Sequence, residues 1–300
     1  MNVVGLHKIR FLSFGHIFSS ICILILALIL SSCATNQSKL PPPVSSCVRL
    51  GITCEEEIPK IEKVALFNDV CLEKDAVLSD DYFSINDSKL AESYMLGSAK
   101  NYLVKKGYKI EYSGCPFVGA FKSPGLEFKV AENDDAPVKD INPPFYDAGE
   151  IQNDFEFKQC VIKAENQILK AVEKSDNDYH ILVSLDETDI KCLNLISERT
   201  NSEAAMFIFG NGRCVPGGKS FAEAMTTGMI TGIATMGMVT YSHWETSYLD
   251  TYVGFVDLKN GKLLWSNSTR HKSIDPTDQD YYEKENGWAR INLYFVPEKK

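Results

Sequence analysis

The feature that most limits what this chain can fold into is its first 33 residues. His7, Lys8 and Arg10 open the segment, an apolar run occupies 17–30, and Leu30-Ser31-Ser32-Cys33 closes it. A weakly basic start, an apolar middle and a small-residue end are the three parts of a secretory signal. As a helix the run reaches only about 21 Å at about 1.5 Å per residue, short of a hydrocarbon core about 30 Å thick. It reads as a leader and not as a spanning anchor. Residues 1–32 are expected to be removed as a signal peptide, so the folded body must be built from residues beyond Ser32.

Leu30-Ser31-Ser32-Cys33 resembles the lipobox of bacterial lipoproteins, in which small residues admit the peptidase just before a Cys that receives lipid. The resemblance implies that Cys33 becomes the first mature residue and carries acyl chains, palmitate among them, on its thiol and amino group. Each buried methylene contributes about 0.8 kcal/mol, so several chains make attachment to a membrane effectively permanent. In diderm bacteria an Asp after the Cys tends to retain a lipoprotein in the inner membrane. Here Ala34 takes that position, and the resemblance implies the periplasmic face of the outer membrane.

A chain of 300 residues with 44% hydrophobic, 24% charged and 11% aromatic residues has the composition of a globular protein and not of a disordered or fibrous one. The formal net charge is −9, and losing Lys8 and Arg10 with the leader makes the remainder more acidic. Nucleic acid is excluded as a partner, because phosphate binding needs clustered Lys and Arg. Residues 33–60 contain Pro41-Pro42-Pro43 and no sustained apolar period, and read as a lipidated Pro-rich tether. Cys47 and Cys54 within it are spaced for a small disulfide loop in an oxidising compartment. With Cys71, Cys115, Cys160, Cys192 and Cys214 they make an odd number, so at least one thiol stays free or pairs between chains. No CxxC and no Cys/His pair at zinc spacing occurs, so neither a metal nor a cofactor is expected.

Residues 61–300 are expected to form a single α/β domain. A strand is predicted at 63–68, then a helix capped by Asp87 or Ser88 with a stripe of Leu90, Ala91, Tyr94, Met95, Ala99, Tyr102 and Leu103, closed by Lys105-Lys106-Gly107. A second strand is predicted at 108–112. From 114 to 153 the chain turns to Pro, Gly, Asn and Asp, and reads as a loop-rich insertion with a short strand at 127–130. A second helix is marked by Phe157, Cys160, Val161, Ala164, Ile168, Ala171 and Val172, with Cys160 read as a packed thiol. Strands are predicted at 180–185 and 205–209. A hairpin of 252–258 and 262–268 around Asn260-Gly261 is predicted to place Leu258 opposite Leu263 and Val256 opposite Trp265. A last helix is predicted at 281–291. This order suggests an α/β or α+β fold, a mixed sheet with helices packed on it and a C-terminal β-hairpin.

Several segments carry chemistry at first sight. The stretch from Gly210 to Ser220 looks like a phosphate-binding loop, but Arg213 stands where the first Gly is required, and a glycine-rich surface loop explains it better. The run 224–244 has no charged residue and places Gly228 and Gly232 four apart, with His243 and Trp244 near its end. It is either a membrane or oligomer segment or, the preferred reading, a small-residue stretch packed within the body. No Gly-x-Ser-x-Gly elbow nominates a nucleophile for His180 or His271. Asp134-Asp135 reads as a solvated face, and the aromatic residues Tyr281, Tyr282, Trp288, Tyr294 and Phe295 read first as core and second as a partner or glycan surface.

The hairpin from Tyr252 through Asp257, Gly261 and Trp265 resembles the Asp-x-x-x-Gly-x-x-x-Trp hairpin of envelope lipoproteins, such as the curli-secretion lipoprotein and the lipoprotein activators of penicillin-binding proteins. That resemblance, with the leader, implies a membrane-anchored envelope lipoprotein acting as a non-enzymatic binding or assembly component. Its partner would be an envelope protein or a cell-wall polymer. The alternatives are a homo-oligomeric outer-membrane export assembly using 224–244, and a periplasmic hydrolase with no catalytic residue to nominate.

Overall fold

The computed structural model describes residues 60–75, 81–114, 116–147, 154–177, 187–215, 246–284, 287–293, 296, 298 and 299. The expected leader, Cys33, the tether with Cys47 and Cys54, the strand at 180–185, and the run containing Gly228, Gly232, His243 and Trp244 lie outside these residues.

The apolar run expected at 63–68 extends well beyond it, and strand β1 covers Lys63–Lys74. Val64, Leu66, Val70 and Leu72 point into one core, while Ala65 and Phe67 point into another. A strand covered on both faces reads as a continuous apolar run and not as an alternating one. Beyond Phe67 the polar Asn68 and Asp69 break that run in sequence, although both are buried.

Strands β2 (Tyr82–Ser84), β3 (Lys109–Gly114), β4 (Phe117–Val118), β5 (Phe128–Ala131), β6 (Lys139–Ile141), β7 (Tyr146–Asp147), β8 (Ala204–Cys214), β9 (Tyr248–Asp257) and β10 (Leu263–Lys272) complete the set. One eight-stranded mixed sheet runs in the order β10-β9-β8-β1-β2-β5-β6, with β3 also paired to β1, and β4 pairs with β7 separately. β8 lies parallel to β1 from Val64↔Ala204 to Lys74↔Cys214. The glycine-rich stretch expected as a loop is therefore strand as far as Cys214, because Gly210 and Gly212 continue the pairing with β1 and with β9.

Helix α1 (Ile85–Lys105) is capped by Ser84, whose hydroxyl accepts the N–H of Asp87 at 3.3 Å. The expected caps Asp87 and Ser88 lie in its first turn, since β2 runs straight into the helix. Ala91, Met95, Ala99 and Leu103 face the sheet, whereas Leu90 from the predicted stripe is exposed. Helices α2 (Phe155–Asn177) and α3 (Glu187–Thr200) cover the opposite face through Phe157, Val161, Ala164, Ile168, Leu193 and Ile196. Cys160 is not a lone packed thiol: it forms a disulfide with Cys192, with Cα atoms 4.8 Å apart, because α2 and α3 pack side by side. The insertion builds a small core of its own from Val118, Val130 and Phe145 around Cys71.

The hairpin forms, but in another register. Val256 faces Leu263 and Phe255 faces Trp265, with an irregularity at Leu264. The Asp257 carboxylate accepts N–H groups of Lys259 and Asn260, which widens the connection beyond two residues, and Gly261 at φ 68° supplies the left-handed residue. The expected terminal helix is two short ones, α4 (Gln279–Glu283) and α5 (Trp288–Leu293). They part at Gly287, where a Cβ would stand 2.6 Å from the carbonyl oxygen of Tyr281. Tyr282 and Trp288 are buried in the first core, whereas Tyr294 and Phe295 lie outside the described residues. Among the described residues no helix is long and apolar enough to cross a membrane.

Candidate functional site

β3 pairs with β1 only as far as Phe67, and β2 joins only at Glu73. Between them, among the described residues, the outer edge of β1 has no strand beside it, and α1 supplies side chains in place of a ladder. The Glu92 carboxyl accepts the Val70 N–H at 2.9 Å, and the Ser88 hydroxyl accepts the Leu72 N–H at 2.9 Å. The Asn68 amide donates to the Glu92 carbonyl at 2.8 Å. On the other face of β1, Asp69 accepts the N–H groups of Gly119 at 2.6 Å and Phe121 at 3.2 Å. Glu165 of α2 completes an acidic trio, and neither of its carboxyl oxygens has a hydrogen-bond partner.

All three acids are buried, and burial disfavours their charged forms. It pushes Asp69 up to about 7 against the pull of its backbone hydrogen bonds. Glu92 and Glu165 are held well above the usual carboxylate range by burial, with the nearby Asp69 charge adding to it. Burial likewise raises the Cys71 thiol and leaves it unreactive. Among the described residues no three His, Cys, Asp or Glu side chains are arranged to hold a metal ion. Glu92 closes the edge of β1, Asp69 holds the loop at Gly119 and Phe121, and burial favours the protonated form of all three acids. Sealed from solvent, the trio offers no substrate a path to those protons.

His271, the described candidate for an acid–base role, is equally closed. Its Nε2 lies 2.8 Å from the Thr269 hydroxyl and 3.3 Å from the Asn292 amide nitrogen. The Asn292 amide also donates to the Trp288 carbonyl at 2.9 Å, and the Asn292 backbone carbonyl accepts from the Asn267 amide at 2.9 Å. Burial lowers His271 to about 4, so the ring is neutral. The group ties α5 to β10, and among the described residues no Ser–His–Asp arrangement forms around it. Asp134, expected on a solvated face, accepts from the Tyr82 hydroxyl and pairs with Lys74.

Open concave surface lies elsewhere. A groove of about 520 Å³ runs between α1 and the C-terminal helices, within the usual range of ligand sites. Ser93, Gly97, Asn101 and Lys105 recur at four-residue steps along its α1 wall, beside Tyr94, Ser98 and Tyr102. Gly97 deepens the groove, since a Cβ there would meet nothing within 4 Å. The Tyr94 ring packs 5.8 Å from that of Tyr282, and the Ser98 hydroxyl donates to the Tyr282 carbonyl at 2.9 Å, which fixes the two walls. Glu283, Lys284 and Arg290 line the far side. A second groove of about 620 Å³ lies beside Lys60 and the hairpin connection. Its acids Glu203 and Asp257 already accept backbone N–H groups of Glu62 and of Lys259.

None of the residues singled out in the sequence for a site lines the first groove, except that Tyr282 belongs to the C-terminal aromatic cluster. The signal was present: small and polar residues at i, i+4 spacing next to tyrosines, on a helix whose other face is apolar. It lacked the facing wall, which comes from residues nearly two hundred positions later.

No family model matches the chain, and no curated protein matches it. Among solved structures the chain is similar to lipoprotein GNA1162 from Neisseria meningitidis at 13% identity, over 71% of this chain and 84% of that one, with a TM-score of 0.26.

Proposed function

We infer that this is a lipid-anchored envelope protein that binds another envelope component without catalysing a reaction. The anchor rests on the leader and on Leu30-Ser31-Ser32-Cys33, and with Ala34 it favours the periplasmic face of the outer membrane. The observation that carries the binding role is the separation of chemistry from access. The carboxyls with raised proton affinity and the neutral imidazole are buried in the core, while the open groove along α1 presents hydroxyl, amide, phenol and ammonium groups. Catalysis needs the reverse arrangement, a shifted group within hydrogen-bonding reach of a substrate. Recognition of a polar partner needs what the groove has.

The test is cross-linking in intact envelopes of wild type, Cys33→Ser and Gly97→Gln. Labelled palmitate is expected on the wild type and absent from Cys33→Ser. A cross-linked envelope component is expected with the wild type and reduced with Gly97→Gln, whose side chain enters open space. Equal capture by wild type and Gly97→Gln would remove the groove as the binding surface, and unlabelled wild type would remove the anchor.

A further inference from the structure

We propose that the groove between α1 and the C-terminal helices binds an acidic glycan, a saccharide polymer bearing carboxylate groups; this deepens the binding role inferred above and rests on it. The chain carries a net charge of −9, yet the described residues lining this groove include Lys105, Lys284 and Arg290 and one acid, Glu283. The Glu283 carboxyl accepts the amide of Gln279 at 2.5 Å. Lys105 and Lys284 are exposed and have no ion-pair partner among the described residues, unlike Lys106 and Lys109, which pair with Glu298 and Glu111. The exposed Lys105 and Lys284 on an otherwise acidic protein favour an anionic ligand at this groove.

The remaining lining identifies the kind of anion. Tyr94 and Tyr102 present half-buried phenol rings along the groove, and Ser93 and Asn101 stand exposed between them. Phenol faces suit the apolar faces of sugar rings, and hydroxyl and amide groups suit their hydroxyl and acetamido substituents. A protein partner would instead require a desolvated apolar anchor pocket at the centre of its interface. Among the described residues the groove is floored by Gly97, and its far side sets the charged Glu283, Lys284 and Arg290 beside Tyr282 and Ala289. The second groove is the weaker candidate, since Glu198, Glu203 and Asp257 outnumber Lys60 and Lys259 there.

The test is equilibrium binding of the full-length lipidated protein in neutral detergent to two probes. One is a tetrasaccharide of alternating N-acetylglucosamine and N-acetylmuramic acid, and the other is chitotetraose, which has the same sugar backbone without carboxylates. The acidic probe is expected to bind at least tenfold more tightly than the neutral one, and the preference is expected to shrink with added salt. The Lys105→Gln/Lys284→Gln double variant is expected to lose about tenfold for the acidic probe only, from two exposed charge contacts. Gly97→Gln is expected to weaken both. Because all three substitutions lie at exposed positions, unchanged circular dichroism and melting separate lost binding from lost folding. Equal binding of the two probes, no binding, or binding indifferent to the variants would overturn the proposal. If the acidic probe fails to bind while Gly97→Gln still loses a cross-linked envelope protein, the ligand class is wrong and the groove's binding role stands. If both fail, both are wrong.

Discussion

Replacing Glu165 by methionine should stabilise the protein, and by more at pH 8 than at pH 5. Glu165 is buried on α2 and neither carboxyl oxygen is hydrogen bonded. A buried polar group without a partner costs about 1–3 kcal/mol. Methionine has a similar length, no donor or acceptor requirement, and a flexible thioether suited to the same space beside Ala164 and Ile168. The gain at pH 5 should therefore be about 1–3 kcal/mol.

The pH dependence is a matter of linkage. Burial and Asp69 raise Glu165 in the folded protein well above its ordinary value, so the native state keeps a proton that the unfolded chain releases. Stability from that proton is fully present below the unfolded value and is lost as pH rises. Each pH unit over which the two states differ by one proton is worth about 1.4 kcal/mol. Asp69, raised from 3.8 to about 7, contributes a loss of the same sign, about 4 kcal/mol between pH 4 and pH 7. His271 acts in the opposite sense below pH 6.5, but it is common to both proteins and cancels in their difference. The assay is urea denaturation monitored by tryptophan fluorescence, with wild type and Glu165→Met measured at pH 5 and pH 8 and their m-values compared. A variant that is less stable at both pH values, or an advantage that does not grow with pH, would refute the account of the trio.

Gly97→Ala should raise stability by about 0.5–1 kcal/mol, since the residue lies inside α1, its Cβ would meet nothing, and glycine in a helix interior costs that much; thermal melting checks it. Mutating both Cys160 and Cys192 to Ser opens a bridge across 32 residues and should cost about 3–4 kcal/mol in oxidised protein, while excess thiol reductant should bring wild type to the same stability. Trp288→Ala removes a fully buried ring whose Nε1 donates to the Thr251 hydroxyl at 3.2 Å, and should cost about 3–5 kcal/mol by urea titration. Because burial lowers His271 from 6.5 to about 4, the imidazole by itself contributes a loss of about 3 kcal/mol as pH falls from 6.5 to 4, against the gain from the buried carboxyls; the stability of His271→Gln relative to wild type should therefore rise as pH falls through that window, and parallel pH curves for the two proteins would refute the assignment.

Local periodicity made much of the fold legible. The stripes Ala91, Met95, Ala99, Leu103 and Phe157, Val161, Ala164, Ile168 mark helices that form at the expected positions, with one face on the sheet. The strands at 109–114 and 128–131 and the two arms of the hairpin were also readable, because their signals lie within a few residues of one another. The ends of elements were less so. Ser84 displaced Asp87 as the cap because a strand leads into α1, and the Asp257 side chain set a wider turn than Asn260-Gly261 suggests, which shifted the register.

What the sequence determined by itself is what depends on neighbours along the chain: the amphipathic helices, and the strands that alternate or run apolar. What only tertiary structure decided depends on residues far apart. Asp69, Glu92 and Glu165 look like ordinary surface acids until β1, α1 and α2 bring them into one buried place. Cys160 finds Cys192 only because two helices share a sheet face. The groove exists only where Tyr282 and Lys284 stand across from Gly97 and Lys105. Burial, pairing and concavity are properties of surfaces that meet, and no period within a single segment encodes which surfaces those are.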